Sequence, residues 1–278
     1  MHCHNAPSIF PRRQTDWEFI ADLKIAGMSG AVLKSHESST VDRAALLRAK
    51  EPGLQIYGGL VCNYFTGGLS PYTVDAAIRL GAKCIWMPTI SASAHQRHFA
   101  QQKTKLFASS KPLLQPTNGL QIWDSQQQIL PAVIDILQLI AEADIVLATG
   151  HLSPAEVLAL VKKAKQLGVH KVLIQHADMG IAPVPFDMQQ ELVNLGAIIE
   201  KCYLACSDEF DFTLQAMAAS IQQLGTRHCV MVTDYGQRHN LPIVEAFSAF
   251  VDEMSGYGVS DNDICDMIAI NPRKLLGV

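Results

Sequence analysis

Seven short runs of consecutive apolar residues punctuate this 278-residue chain: Gly30–Leu33, Gln55–Val61, Lys83–Met87, Asp144–Ala148, Lys171–Ile174, Ala197–Tyr203 and His228–Val232. They are rich in Val, Ile, Leu and Cys, and they do not alternate with polar residues. Strands buried on both faces read this way, whereas a strand with one wet face alternates. Between the runs lie amphipathic segments with helix punctuation. In SPAEVLALVKKAKQLGV, Ser153 is placed as N-cap, Pro154 at the first helical position, Glu156 in the first turn, and Gly168 after the end. The pairs Ala26-Gly27, Leu80-Gly81, Leu167-Gly168, Leu195-Gly196 and Leu224-Gly225 each mark a helix turning into the next strand.

This repeated strand–helix unit predicts a parallel sheet with right-handed crossovers. With the opening MHCH taken as the tail of a first strand, the count reaches eight. Eight strands alternating with helices predict an α/β fold of the closed (β/α)8 TIM-barrel kind, one domain over residues 1–278. A doubly wound open sheet is the competitor, but no GxGxxG follows any strand and no Walker loop is present. The longest irregular stretch, Thr89–Asn118, follows the fourth strand and is expected to form a loop with short helices over the barrel mouth.

Composition narrows the class. Hydrophobic residues make up 49%, charged residues 17%, and the net charge is −4. No Lys/Arg run exceeds two, so neither nucleic acid nor an anionic membrane is an expected partner. No stretch approaches the roughly 18 apolar residues of a membrane helix. Seven unpatterned cysteines without a CxxC pair fit reduced thiols, and a cytoplasmic location is the expectation. A small-molecule substrate and a homodimer are the expected partners.

Polar residues stand directly after the runs: His2 and His4, then Lys34 and His36, Asn63, Thr89, His151, His176, a looser stretch through Cys206, Ser207 and Asp208, and Asp234. In a barrel all strand C-termini point to one face, so these side chains converge. His-x-His on a strand puts both imidazoles on one face and Cys3 on the other, because the side-chain period is two. Both rings can then reach one ion at about 2.0–2.1 Å. A divalent metal brings its bound water toward a pKa of about 7. Zinc suits imidazole and carboxylate ligands; manganese or iron is the alternative.

HCH, TGH (His151), QHA (His176) and VTDYG (Asp234), with the closing NPRKLLGV, resemble the amidohydrolase superfamily of metal-dependent hydrolases. The resemblance implies a (β/α)8 barrel with one or two divalent metals. It implies that His2 and His4 bind the more buried metal, that His151 and His176 are ligands, and that Asp234 binds metal and handles the proton of the attacking water. In some single-metal members the residue matching His176 is catalytic instead. Two features depart from the pattern. The fourth strand ends in Trp86-Met87-Pro88-Thr89, where many two-metal members carry a carboxylated lysine or a glutamate. KSH on the second strand places Lys34 and His36 on one face, an arrangement similar to PHP phosphoesterases. The strings GAVLKSHESST, GGLVCN and KCIWMPT look most like an uncharacterised amidohydrolase-like family. Only Met1 precedes HCH, so the upstream half of the first strand is either lost or lies before Met1.

The expectation is therefore a metal-dependent hydrolase of a small amide, cyclic amide or lactone. Asp234, His176 and Lys34 are its catalytic candidates. His2, His4, His36, His151, His176 and Asp234 are its metal candidates, with His36 either a ligand or a substrate contact. Lys34 is either an ammonium for substrate or a carboxylated bridge. Asn63, Arg13 and Arg238 are substrate-binding candidates, the arginines suiting a carboxylate or phosphate. The rivals are a PHP-like phosphoesterase, a decarboxylase on the same site, and a non-catalytic metal- or ligand-binding barrel. His95 and His98 read as exposed loop polarity, and Trp86 and Trp123 as core or lid packing.

Overall fold

The computed structural model describes residues 2–100, 114 and 118–278. Part of the stretch expected as a loop after the fourth strand lies outside these residues. The strands are β1 (His2–Cys3), β2 (Gly30–Leu33), β3 (Gln55–Tyr57), β4 (Gly59–Val61), β5 (Cys84–Trp86), β6 (Val146–Ala148), β7 (Val172–Ile174), β8 (Ile198–Cys202) and β9 (Cys229–Val232). These strands pair in parallel, in the orders β1-β2-β3 and β4 through β9. Only Gly58 separates β3 from β4, so these are two halves of one course, and the segments fill eight barrel positions.

The helices follow in alternation: α1 (Asp16–Ile25), α2 (Val41–Lys50), α3 (Pro71–Arg79), α4 (Ser93–Phe99), α5 (Pro131–Ala143), α6 (Pro154–Gln166), α7 (Phe186–Asn194), α8 (Leu214–Leu224), α9 (Ile243–Gly256), α10 (Asp261–Cys265) and α11 (Asn271–Leu276). Among the described residues no helix is long and apolar enough to cross a membrane. The expected start of α6 is present: Ser153 and Glu156 close a capping box, with Pro154 in the first turn. The five glycines expected after helices all take the left-handed region, from φ 67° at Gly27 to φ 100° at Gly81, which a Cβ disfavours.

The two irregular points of the ring are held by specific contacts. At Gly58 a Cβ would lie 2.4 Å from the Thr40 carbonyl oxygen, so only glycine lets the chain pass. Thr40 joins the neighbouring courses there: its hydroxyl donates to the Leu33 carbonyl at 2.7 Å and accepts from Gly59 N–H at 3.0 Å. At the seam between β9 and β1, His4 N–H donates to the Tyr235 carbonyl at 2.9 Å and Arg13 N–H to the Gly236 carbonyl at 2.8 Å. β1 itself pairs with Val32 and Leu33 of β2, and not with Gly30 or Ala31.

Two apolar clusters follow the strand alternation. One lies between barrel and helices; the other fills the barrel interior with Val32, Val61, Cys84, Trp86, Val146, Ala148, Leu173 and Val230, joined by Leu275 and Leu276 of α11. Strand β8 carries two adjacent buried charges, and the period of two sends them opposite ways. Glu200 faces the interior. Lys201 faces the helices, where its ammonium donates to Asp178 at 2.8 Å, Gln189 at 3.1 Å and Ser220 at 2.7 Å. All three ammonium hydrogens are thereby placed in a fully buried position. Lys201→Met strands the Asp178 carboxylate in the core and is expected to destabilise the protein by about 3–5 kcal/mol. Urea unfolding measures this; an unchanged midpoint would show that the network does not hold α7 and α8 to the sheet.

Candidate active site

The strand ends bring their polar residues to one buried centre, and Asp234 is where they meet. His2 Nε2 lies 2.7 Å and His4 Nε2 3.0 Å from Asp234 Oδ1, while His176 Nε2 lies 3.1 Å from Oδ2. Lys34 Nζ sits 3.3 Å from His2 Nε2 and 3.7 Å from Asp234 Oδ1. Each of these residues is at most 6% exposed. Two of them hold a conformation that L-residues avoid: φ is 40° at His176 and 56° at Asp234. Non-glycine residues in this region cost roughly 1–3 kcal/mol, and such strain gathers at functional sites. Just beyond, a Cβ at Gly236 would lie 1.7 Å from the His4 carbonyl oxygen, so glycine lets the last strand's loop press onto the first strand.

Glu200 is the residue that the sequence reading missed. Its Oε2 lies 3.1 Å from His2 Nδ1, and its Oε1 accepts from His176 N–H at 3.2 Å. The signal was a charge inside an apolar run: IIEKC interrupts Ala197–Tyr203 where an interior face needs apolar side chains. Among the described residues two sets of three ligand atoms fall within 4.8 Å of one another: His2, His4 and Asp234; and His2, His176 and Glu200.

Other expected residues stand differently. Asn63 spends its amide on the scaffold, accepting from the N–H groups of Thr89 and Ser91 and donating to the His36 carbonyl and Thr89 Oγ1. It is no substrate contact, because its hydrogen-bonding capacity is used. Arg13 and Arg238 are exposed. Arg12 is the arginine turned inward, with Nη2 3.5 Å from His4 Nδ1 and the guanidinium 5.5 Å over the Phe10 ring. Phe10, 2% exposed, meets the His36 ring edge-on at 6.0 Å between centroids. His36 stacks on His4 at 4.6 Å, and His151 lies beside His176 at 4.8 Å between ring centroids; neither joins a three-atom ligand set among the described residues. His95 is buried and not loop polarity: α4 carries its Nδ1 to 2.7 Å from His151 Nδ1, so one hydrogen serves both rings.

The charges are balanced inside the barrel. Burial would raise Asp234, but Lys34, His2 and His176 hold it well below the usual carboxylate range. Burial opposes a charged His2, yet Glu200 and then Asp234 move it above the ordinary histidine value. Glu200 is lowered, its burial outweighed by His2. Burial holds His4, His36 and His151 well below the histidine range, helped by Arg12, His4 and His176 respectively, and it lowers His176 against the pull of Asp234. Burial likewise brings His95 to about 3.

The donor set fits a divalent cation. Two carboxylates face the interior, and the positive charge offsetting them comes from Lys34 and a raised His2. The 2.7 and 3.0 Å separations around Asp234 Oδ1 approach the edge of about 3.3 Å of a tetrahedron with bonds near 2.05 Å.

Comparison with known proteins bears on this geometry. The model of DUF6282, a family of unknown function, matches residues 1–200. The chain is a DUF6282 protein. No curated protein matches its sequence. Solved structures do match the DUF6282 fold. An amidohydrolase from Pseudomonas aeruginosa aligns over 97% of this chain and 94% of its own, at 11% identity and a TM-score of 0.66. The phosphotriesterase homology protein from Escherichia coli aligns over 99% and 98%, at 14% identity and a TM-score of 0.62. A putative 2-pyrone-4,6-dicarboxylic acid hydrolase from Pseudomonas putida aligns over 99% and 97%, at 14% identity and a TM-score of 0.55. At these identities the likeness is one of fold, and it is the fold that the HxH, His, His, Asp order resembles.

The pH dependence of stability follows from these shifts. A histidine lowered on folding takes its proton in the unfolded chain first, so its contribution is lost as pH falls below about 6.5. His4, His36, His95, His151 and His176 act in this sense, and His2 in the opposite one. Asp234 and Glu200, both lowered, add a further loss below about pH 4. The urea midpoint of metal-free protein is expected to fall steadily from pH 7 to pH 5. A flat midpoint would mean that these rings are not buried neutral.

Proposed function

We propose that this protein is a metal-dependent hydrolase acting on a small amide, cyclic amide or lactone, with zinc as the metal. The observation that carries the reading is the convergence of His2 and His4 on one oxygen of a buried Asp234, 232 and 230 residues away in sequence. The relatives in fold support it at the level of chemistry class, as amidohydrolases and a phosphotriesterase homologue.

His2, His4 and Asp234 would hold the ion, with His176 on the other carboxylate oxygen. When bound, the ion supplies Lewis acidity and a water acidic enough to react at neutral pH. Asp234 Oδ2 receives the proton of the attacking water, and His176, 3.1 Å away, passes it to the leaving nitrogen or oxygen. Lys34 faces the reacting centre as an ammonium and binds the substrate oxygen that gains negative charge. Glu200 fixes the His2 ring by facing Nδ1, which leaves Nε2 for the centre.

A phosphoester substrate is the second reading, favoured by two cationic side chains near the cluster, Lys34 beside His2 and Asp234 and Arg12 beside His4. Metal analysis followed by assay of lactones, cyclic amides and phosphomonoesters separates the two. Phosphate release without turnover of the other classes would replace the first reading with the second.

Asp234→Asn is expected to keep the fold and to cut turnover at least ~100-fold; full activity would remove Asp234 from proton transfer. Glu200→Gln is expected to weaken zinc affinity about 10–100-fold in a chelator competition. Unaltered affinity would leave Glu200 as interior packing alone.

A further inference from the structure

Among the described residues the two three-atom ligand sets have His2 in common, so the number of ions turns on that ring. Its nitrogens face different carboxylates: Nε2 lies 2.7 Å from Asp234 Oδ1, and Nδ1 lies 3.1 Å from Glu200 Oε2. A neutral imidazole has one hydrogen and one lone pair, so it ligates through one nitrogen and keeps hydrogen on the other. His4 Nε2, 3.0 Å from the same Asp234 oxygen, completes a ligand set on the Nε2 side. On the Nδ1 side a bare nitrogen would turn its lone pair on the fully buried Glu200 carboxylate, whereas a hydrogen there compensates that carboxylate. An ion therefore takes Nε2, and the hydrogen stays on Nδ1. The set of His2, His176 and Glu200 then loses its His2 atom. Two ligands remain in it, too few to hold a second ion.

Charge leads to the same count. Lys34 Nζ is buried, 3.3 Å from His2 Nε2 and 3.7 Å from Asp234 Oδ1. Arg12, beside His4, is offset by Glu37. One divalent ion and the Lys34 ammonium exceed the two carboxylates, Asp234 and Glu200, by a single positive charge. One anionic oxygen at the centre cancels it. A second ion would leave three positive charges out of water, where unpaired charge is costly.

We propose that the centre binds one divalent cation, and that the Lys34 ammonium supplies the positive charge a second cation would otherwise bring. Lys34 is then neither a ligand nor a carboxylated bridge, and Glu200 holds the His2 hydrogen and not the ion. The proposal deepens the metal-dependent reading of the preceding section and rests on it.

Zinc alone is the probe. Calorimetric titration of untagged, chelator-stripped protein gives ions per chain, and competition with a chromophoric chelator gives affinity. The expected result is one zinc per chain, with or without added bicarbonate, which carboxylation of a lysine requires. Lys34→Met removes a positive charge beside a ligand carboxylate and is expected to tighten zinc at least ~10-fold, with one ion still bound. Circular dichroism checks the fold, and Lys34→Gln takes its place if the methionine variant does not fold. A lysine that ligates or bridges gives the opposite sign, because its loss weakens zinc or removes one of two ions. Two zinc per chain in the parent, or weaker zinc in a folded Lys34 variant, would overturn the proposal and leave the metal reading standing. A parent that binds no zinc would overturn both.

Discussion

A single buried carboxylate organises this molecule. Asp234 receives His2 and His4 on one oxygen and His176 on the other, with Lys34 close by. A carboxylate removed from water is costly unless charge or hydrogen bonds compensate it. Here the compensating groups come from the first, second and sixth barrel positions, and the carboxylate from the eighth. The requirement to satisfy one anion therefore ties together elements that share no local sequence. Two of the residues in this contact, His176 and Asp234, hold the left-handed backbone that non-glycine residues adopt rarely.

The fold was legible because its signals are local and redundant. Apolar runs without alternation, Ser-Pro helix entries and glycines at helix ends each report on a few consecutive residues. The meeting of side chains was legible where side-chain period and strand end coincide, as at His2, His4, His176 and Asp234. It was misread where the deciding fact is three-dimensional. Arg12 and Arg13 are adjacent in sequence, and only the turn of the loop between β1 and α1 decides which faces inward. Asn63 stands at a strand end like a ligand, but its amide is consumed by Thr89, Ser91 and His36. His95 looks like loop polarity until α4 brings it to His151.

Glu200 is a different kind of miss. The other polar residues of the cluster stand at strand ends, whereas Glu200 sits inside a strand. A carboxylate within an apolar run is expensive and needs a partner, so its presence was itself a signal. Its neighbour Lys201 shows how one dipeptide supports two functions. Facing out, Lys201 anchors α7 and α8 to the sheet. Facing in, Glu200 stands behind His2. A change in the register of β8 by one residue would exchange the two and destroy both arrangements.

The short first strand has a further implication. β1 contributes two residues to the ladder, so His2 and His4 owe their positions mainly to Val32, Leu33, Tyr235 and Gly236. Beginning and end of the chain must be zipped together before those rings have an address. Local opening at this junction, detectable by amide exchange at His4 and Tyr235, would scatter the cluster long before the helices outside it begin to melt.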